Sequence, residues 1–284
     1  MKAAAFDYIK PKALAEALSL LAEAGDDGQL IAGGQTLLAT LNMRLSEPSI
    51  LIDISNIDEL KGISLLGDQL RIGALVTHTE IEDSQLVAQH APLLKAAAPH
   101  IAHRAIRNLG TWGGSLAYGD PAAEWPACSL TLNATMIIAG PRGERRIPAQ
   151  DFFIDLYTTA LEPDEILIAT EIPIATSNQV MYFHELARRH GDYAIAGLAA
   201  VAEKRGNVLS HCAFTFFSVA STPLMAIKAQ GLVDGKPLTE ELIASAVAAA
   251  KSEIDAIADI TNSVETKRHL IGVLLERGLK HLIA

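Results

Sequence analysis

Two Gly-Gly steps, each flanked by hydroxyl side chains, constrain this 284-residue chain more than any other feature. The first is Ala32-Gly33-Gly34-Gln35-Thr36, directly after the apolar pair Leu30-Ile31. The second is Thr111-Trp112-Gly113-Gly114-Ser115, about eighty residues later. Glycine has no Cβ, so it reaches positive φ at low cost and lets a bulky anion approach the backbone. Successive N–H groups in such a segment form a concave nest for phosphate, to which Thr36, Thr111 and Ser115 add hydroxyl donors. One pair alone reads as a tight turn. Two pairs from distant segments suit a diphosphate bridge, and that requires a fold that brings them together.

Half of the residues are hydrophobic and a fifth are charged, with a net charge of −10. That supplies a large core in one to three domains. It also argues against a nucleic-acid or membrane-surface role, since both need clustered Lys and Arg. Met1-Lys2-Ala3-Ala4-Ala5-Phe6-Asp7 meets an acid before any apolar stretch forms and is a poor signal peptide. No uninterrupted apolar run of about 18 residues occurs, so no integral membrane segment is expected and the chain reads as cytoplasmic. Cys128 and Cys212 are the only cysteines. They exclude a disulfide framework and any Cys₄ zinc or iron–sulfur site built from this chain alone. Both read as small buried hydrophobes.

The periodicity predicts a helix over Pro11–Ala24, a strand over Gln29–Ala32 leading into the first glycine segment, and a helix over Thr36–Leu45. Strands follow at Ile50–Ile54 and Gln69–Ala74. Thr77-His78-Thr79-Glu80 has the spacing of a capping box. Pro92 opens a helical stretch toward Asn108, interrupted by Pro99. Further strands are expected at Ala134–Ala139, Glu165–Ile172, Gly197–Lys204 and Cys212–Val219, then helices over Glu240–Ile257 and Val264–Leu282. The polar stretch after Pro173 marks a boundary, giving an α+β chain with residues 1–175 as one domain and 176–284 as a second of sheet plus helices.

A Rossmann site wants G-x-G-x-x-G, and a P-loop wants a lysine after its glycines; neither pair meets these patterns. His100 and His103 are three apart but lack a completing Glu or Cys, so they read as partly exposed helical side chains and no metal ligand is assigned. His103-Arg104-Ala105-Ile106-Arg107 is a local basic patch, read as a solvated face or a contact for an acidic group. In Asp120-Pro121-Ala122-Ala123-Glu124-Trp125-Pro126, Asp120 suits a cap for a helix starting at Pro121. Glu124 suits hydrogen bonds from ribose hydroxyls, and both readings stay open. Tyr193, beside Gly191-Asp192, suits stacking on an aromatic ligand or burial between domains.

The order AGGQT, IRNLGTWGGSLAYGDPAAEWPA, EILIATEIP and ARRHGDYA closely resembles the FAD-binding medium subunits of molybdenum hydroxylases, the carbon-monoxide-dehydrogenase and xanthine-dehydrogenase-like enzymes. The resemblance covers essentially the whole chain. It implies an FAD-binding domain of the vanillyl-alcohol-oxidase type, with two α/β subdomains at about 1–55 and 56–175, followed by a smaller C-terminal domain. It places Ile31, Ala32, Gly33, Gly34, Gln35, Thr36 and Leu37 around the FAD pyrophosphate, with Thr111, Gly113, Gly114 and Ser115 completing the cradle. Ile101 and Ile168 are implied as apolar cofactor contacts, Asp120 as holding its loop, Glu124 as an acidic contact, and Tyr193 as a neighbour of the isoalloxazine. Trp112 departs from the pattern, where a smaller aliphatic residue is usual, and puts local packing near the flavin in question.

The resemblance further implies noncovalent FAD and electron relay rather than substrate chemistry, so no catalytic residue is expected here. The [2Fe-2S] clusters are expected on a small partner subunit and the molybdopterin cofactor on a large one, in a dimer of heterotrimers. The acceptor stays open among quinone, NAD and oxygen. The alternatives are a self-sufficient FAD oxidase and a non-catalytic flavin-binding assembly protein. A benzoyl-CoA-reductase-like branch is disfavoured, since its cysteine-rich insertion is missing from the sequence.

Overall fold

A computed structural model describes residues 2–284. The first layer is a three-stranded parallel sheet, with Ile50–Asp53 between Asp7–Ile9 and Gly28–Ile31. The helix Leu14–Ala24 covers it, burying Ala17 and Leu21 against Ile52. Their four-residue spacing is what puts both on one helical face.

The second layer is a five-stranded antiparallel sheet in the order Ile63–Leu66, Gln69–Gly73, Ile166–Pro173, Thr135–Gly140, Gly143–Pro148. Its central strand, Ile166–Pro173, is buried along all but its last residue. Both faces are covered: Ile166 and Ile168 join the core with Leu21 and Ile52, while Leu167 and Ile172 join a second core under the helices. That double burial explains a near-continuous apolar run in an antiparallel sheet. The buried Glu171 on this strand is held by Arg71 at 2.9 Å from the adjacent strand and by Arg146 from the edge strand two places away.

The third layer is an antiparallel sheet of Gln179–Leu186, Ala196–Arg205, Val208–Phe217 and Leu224–Met225, with the two-residue strand Lys236–Pro237 also paired to Val208–Phe217. One face packs on the helices Glu240–Glu253 and Val264–Ile283. The other packs on Pro92–Ala97 and Glu124–Thr131, and Phe183, Ala199, Val201 and Phe217 share a core with Trp112 and Trp125. A continuous apolar core therefore runs across residues 175 and 176.

The Thr77–Glu80 capping box forms in full, Thr77 N–H donating to Glu80 Oε2 at 2.7 Å and Glu80 N–H to Thr77 Oγ1 at 3.2 Å. The helical stretch from Pro92 is shorter than its spacing predicts. It ends at Ala97, passes through a 3₁₀ turn Ala98–His100, and resumes only at Arg104–Arg107, with Ala102 at φ +43° between them. His100 and His103 thus lie on separate elements, and His100 instead faces Glu185 at 3.5 Å. Among the described residues, no group of three His, Cys, Asp or Glu side chains is arranged to hold a metal. The helix expected at Pro121 begins at Glu124, because Asp120 caps a turn instead, its Oδ1 accepting from Ala122 N–H at 2.9 Å. No helix of the described residues is long and apolar enough to cross a membrane.

Candidate cofactor-binding cleft

The three layers meet around a cleft of about 880 Å³, near the top of the roughly 300–1,000 Å³ range of small-molecule sites. Residues 31–37 form one wall; 74–78, 101–124 and 161–167 contribute the second wall and floor; Gly191, Asp192 and Tyr193 reach in from the third layer.

The first glycine pair packs on Leu109-Gly110, just ahead of the second pair, and both pairs line the same cleft. A Cβ at residue 33 would overlap the Leu109 carbonyl oxygen and lie 2.7 Å from its carbon, so only glycine lets the two segments touch. Gly34 adopts φ +68° and turns the chain into the short helix Leu37–Asn42. Around that turn the N–H groups of Gly33, Gly34, Gln35, Thr36 and Leu37 find no acceptor among the described residues. Backbone donors left open are normally met by a ligand or water. Five in succession around a positive-φ glycine make an anion nest.

The second pair differs from the expected nest. Gly113 and Gly114 lie in the first turn of the helix Trp112–Tyr118 and have no positive φ. Their N–H groups are spent internally: Gly113 donates to Ala74 O at 2.8 Å, Gly114 to Thr111 Oγ1 at 3.2 Å, and Ser115 to Thr111 O at 3.1 Å. Gly113 is glycine because a Cβ would lie 2.7 Å from Ala74 Cα; at Gly114 a Cβ would press Thr111 Oγ1 at 2.7 Å. What this segment offers a ligand is hydroxyl chemistry. Among the described residues Ser115 Oγ makes no hydrogen bond, and Thr111 Oγ1 accepts one but keeps its own proton to donate.

Ile101 is nearly buried at the cleft wall. Ile168 is not brought there. It points into the core beneath the first sheet, its carbonyl accepting from Ala74 N–H at 2.9 Å, while Ile166 and Leu167 reach the cleft. Trp112 also turns away. It is fully buried, donates to Thr170 Oγ1 at 2.9 Å and packs on Trp125 with centroids 5.1 Å apart, so the larger side chain fills the core rather than the cleft.

Asp120 and Glu124 sit together at the cleft end nearest the third layer. Burial, reinforced by the Glu185 charge, pushes the Glu124 carboxyl up to about 8. Burial likewise raises Asp120. Tyr193 is 66% exposed as a residue, whereas desolvation of its hydroxyl, with the Asp120 charge, pushes the phenol up to about 12. Its loop is fixed by Gly191, at φ +79°, which packs on the Ala102 backbone where a Cβ would lie 2.7 Å from Ala102 O. Sequence reasoning missed His78, Tyr118 and Tyr157, which also line the cleft. Tyr118 and Tyr157 pack on each other at 5.1 Å, brought together from distant segments with no local signal. His78 lay within the capping box but was masked by its helix-start reading.

Residues 4–175 match the family described as FAD binding domain in molybdopterin dehydrogenase, and residues 181–282 match the CO dehydrogenase flavoprotein C-terminal domain. The chain belongs to this flavoprotein family. It is 35% identical to the carbon monoxide dehydrogenase medium chain of Hydrogenophaga pseudoflava over 96% of each chain. It is 37% identical to the nicotine 6-hydroxylase medium subunit of Paenarthrobacter nicotinovorans over 98% of each. A solved structure of the Hydrogenophaga pseudoflava carbon monoxide dehydrogenase superposes with a TM-score of 0.97, at 35% identity, over 99% of this chain and 98% of that one. The protein is therefore an oxidoreductase subunit with an FAD-binding domain followed by a smaller C-terminal domain.

Proposed function

We propose that this chain is the electron-transfer subunit of a cytoplasmic three-component molybdenum hydroxylase. It takes electrons from [2Fe-2S] clusters on a small partner subunit and passes them through noncovalent FAD to an external acceptor. A large molybdopterin-bearing partner oxidises the substrate, and two such trimers pair. The relatives' names support the class, but they range from carbon monoxide to nicotine, so the substrate belongs to the large partner.

The observation that carries the reading is the row of five open N–H groups at residues 33–37, lining the same cleft of about 880 Å³ as the Thr111 and Ser115 hydroxyls. In that cleft residues 31–37 hold the pyrophosphate from one side and Thr111 and Ser115 from the other, while Gly113 and Gly114 allow the close packing behind. Ile101 forms an apolar wall. Glu124, protonated through much of the neutral range, can donate as well as accept a hydrogen bond to a ribose hydroxyl. Tyr193 covers the isoalloxazine end from the C-terminal domain, which we take to start at residue 176.

FAD accepts electrons singly and delivers them in pairs, the chemistry such a relay needs. The chain's own residues bind, orient and shield it. Two buried cysteines cannot supply the four ligands of a [2Fe-2S] cluster. In this reading the electrons enter from another chain. Anaerobic reduction separates the alternatives. Flavin bleached by an organic substrate only when metal-bearing partner chains are present supports the relay; bleaching of the lone chain at full rate overturns it.

A further inference from the structure

We propose that His78 is a further cofactor contact: a neutral, fixed-tautomer hydrogen-bond donor that presents Nε2–H to an oxygen of the dinucleotide beside Gly110 and Thr111. This rests on the cleft being the FAD site.

The tautomer follows from one bond. Trp125 Nε1–H donates to His78 Nδ1 at 2.9 Å inside the core, with the rings edge to face at 5.8 Å. An indole N–H only donates, so Nδ1 carries a lone pair and the neutral imidazole keeps its proton on Nε2. The ring stays neutral because burial, and then the Arg107 charge, push it down to about 4. Arg107 is itself committed to Glu82 at 2.8 Å and to the Ile101 carbonyl at 2.9 Å, so it does not compete for the ligand.

Nε2 has no acceptor among the described residues, yet it is not sealed in the core. The residue is 6% exposed and lines the cleft, which is where that remaining surface opens. A nearly buried donor without a partner is uncommon and points to a group absent from the chain itself. The ring is also built into the second glycine segment. His78 N–H donates to Gly110 O at 2.9 Å, Thr77 bridges Thr111, and a Cβ at Gly110 would lie 2.6 Å from Nε2. Gly110 is thus glycine so that the imidazole edge can come level with the Thr111 hydroxyl side of the cradle. Trp125 fixes the donor's direction through Nδ1, as an outer partner orients a ligating histidine.

The test uses the protein purified with whatever chains accompany it, stripped of flavin and retitrated with FAD. His78→Leu should raise the FAD dissociation constant by about tenfold or more, the scale of one lost hydrogen bond. His78→Gln, whose amide N–H reaches the Nε2 position, should restore it to within about threefold. Nitrogen NMR of the wild-type imidazole provides a readout that needs no variant to fold: Nε2 should be protonated, Nδ1 not, and FAD should shift Nε2. Equal affinity loss in both variants, an unchanged H78L, or an Nδ1-protonated ring would overturn the assignment while leaving the cleft reading intact. Wild-type protein that takes up no FAD would sink both.

Discussion

Replacing Gly34 by Ala isolates the anion nest from the packing behind it. The residue sits at φ +68°, where a Cβ costs roughly 1–2 kcal/mol. The added carbon would meet Ile31 Cδ1 and Leu38 Cδ1 at 3.2 Å, both apolar side-chain ends that can yield by a few tenths of an ångström. Steric clash therefore adds little to the backbone term. The loop's own hydrogen bonds at the glycines are Leu38 N–H to Gly34 O at 3.0 Å and Gln35 Nε2 to Gly33 O at 3.3 Å; with so few ties the flavin-free loop is expected to relieve the strain, which then falls mainly on the FAD-bound state. At about 1.4 kcal/mol per tenfold, the FAD dissociation constant should rise roughly 5- to 30-fold, with the flavin-free Tm nearly unchanged. Gly33→Ala is the contrast. Its Cβ would run into the Leu109 backbone, which cannot move aside, and should lower both Tm and FAD occupancy. Flavin titration beside thermal unfolding of the flavin-free protein gives both quantities. A G34A protein that binds FAD normally but melts early would refute the nest and leave Gly34 as a turn former.

Other consequences are as direct. Acid precipitation should release all the yellow colour to the supernatant; flavin retained on the denatured chain would contradict noncovalent binding. Trp112→Phe removes the 2.9 Å bond to Thr170, which is fully buried, and should cost about 1–3 kcal/mol with flavin content per folded chain preserved. Loss of flavin without loss of Tm would show that Trp112 serves the cofactor after all. Glu124 has a folded-state pKa raised to about 8 by burial and Glu185. Its contribution is therefore intact below the ordinary carboxylate range and is lost as pH rises toward about 8. Glu124→Gln should accordingly gain Tm relative to wild type, in flavin-free protein, as pH rises from about 5 to about 9; parallel Tm–pH curves would defeat that assignment.

The main elements were legible because their signals are local. The spacing of Leu14, Leu18 and Leu21 on one helix face, the Thr77–Glu80 box and the bounded run Glu165–Ile172 each carry their structure in a few neighbouring residues. The stretch from Pro92 to Arg107 was harder. Its helical spacing continues in sequence, but Pro99 and the positive φ of Ala102 break the helix into three pieces, and the break lets the Gly191 loop seat against the cleft. Ile168 shows a second limit. On a strand buried on both faces, alternation no longer tells which side a residue faces, and the face pointing toward the cofactor is decided by the sheet stacked against it.

The two Gly-Gly steps look equivalent in sequence, yet the fold gives them opposite tasks. Gly33-Gly34 follows a strand and precedes the helix by three residues, so its N–H groups fall before any helical acceptor and stay open. Gly113-Gly114 enters one residue into a helix, so its N–H groups turn back to Ala74 and Thr111; the missing Cβ of Gly113 admits the strand end at Ala74, and that of Gly114 makes room for Thr111 Oγ1. The proposed site uses both: one segment that leaves donors free, and one packed tightly enough to bring Thr111, Ser115 and His78 to the same cleft. The donors on the two sides consequently differ in chemistry, backbone amides against hydroxyls and an imidazole. Losses on the two sides should then combine nearly additively in FAD affinity, because the groups share no partner among the described residues. A double G34A/H78L variant no weaker than H78L alone would mean that both sides act through a single loop movement instead.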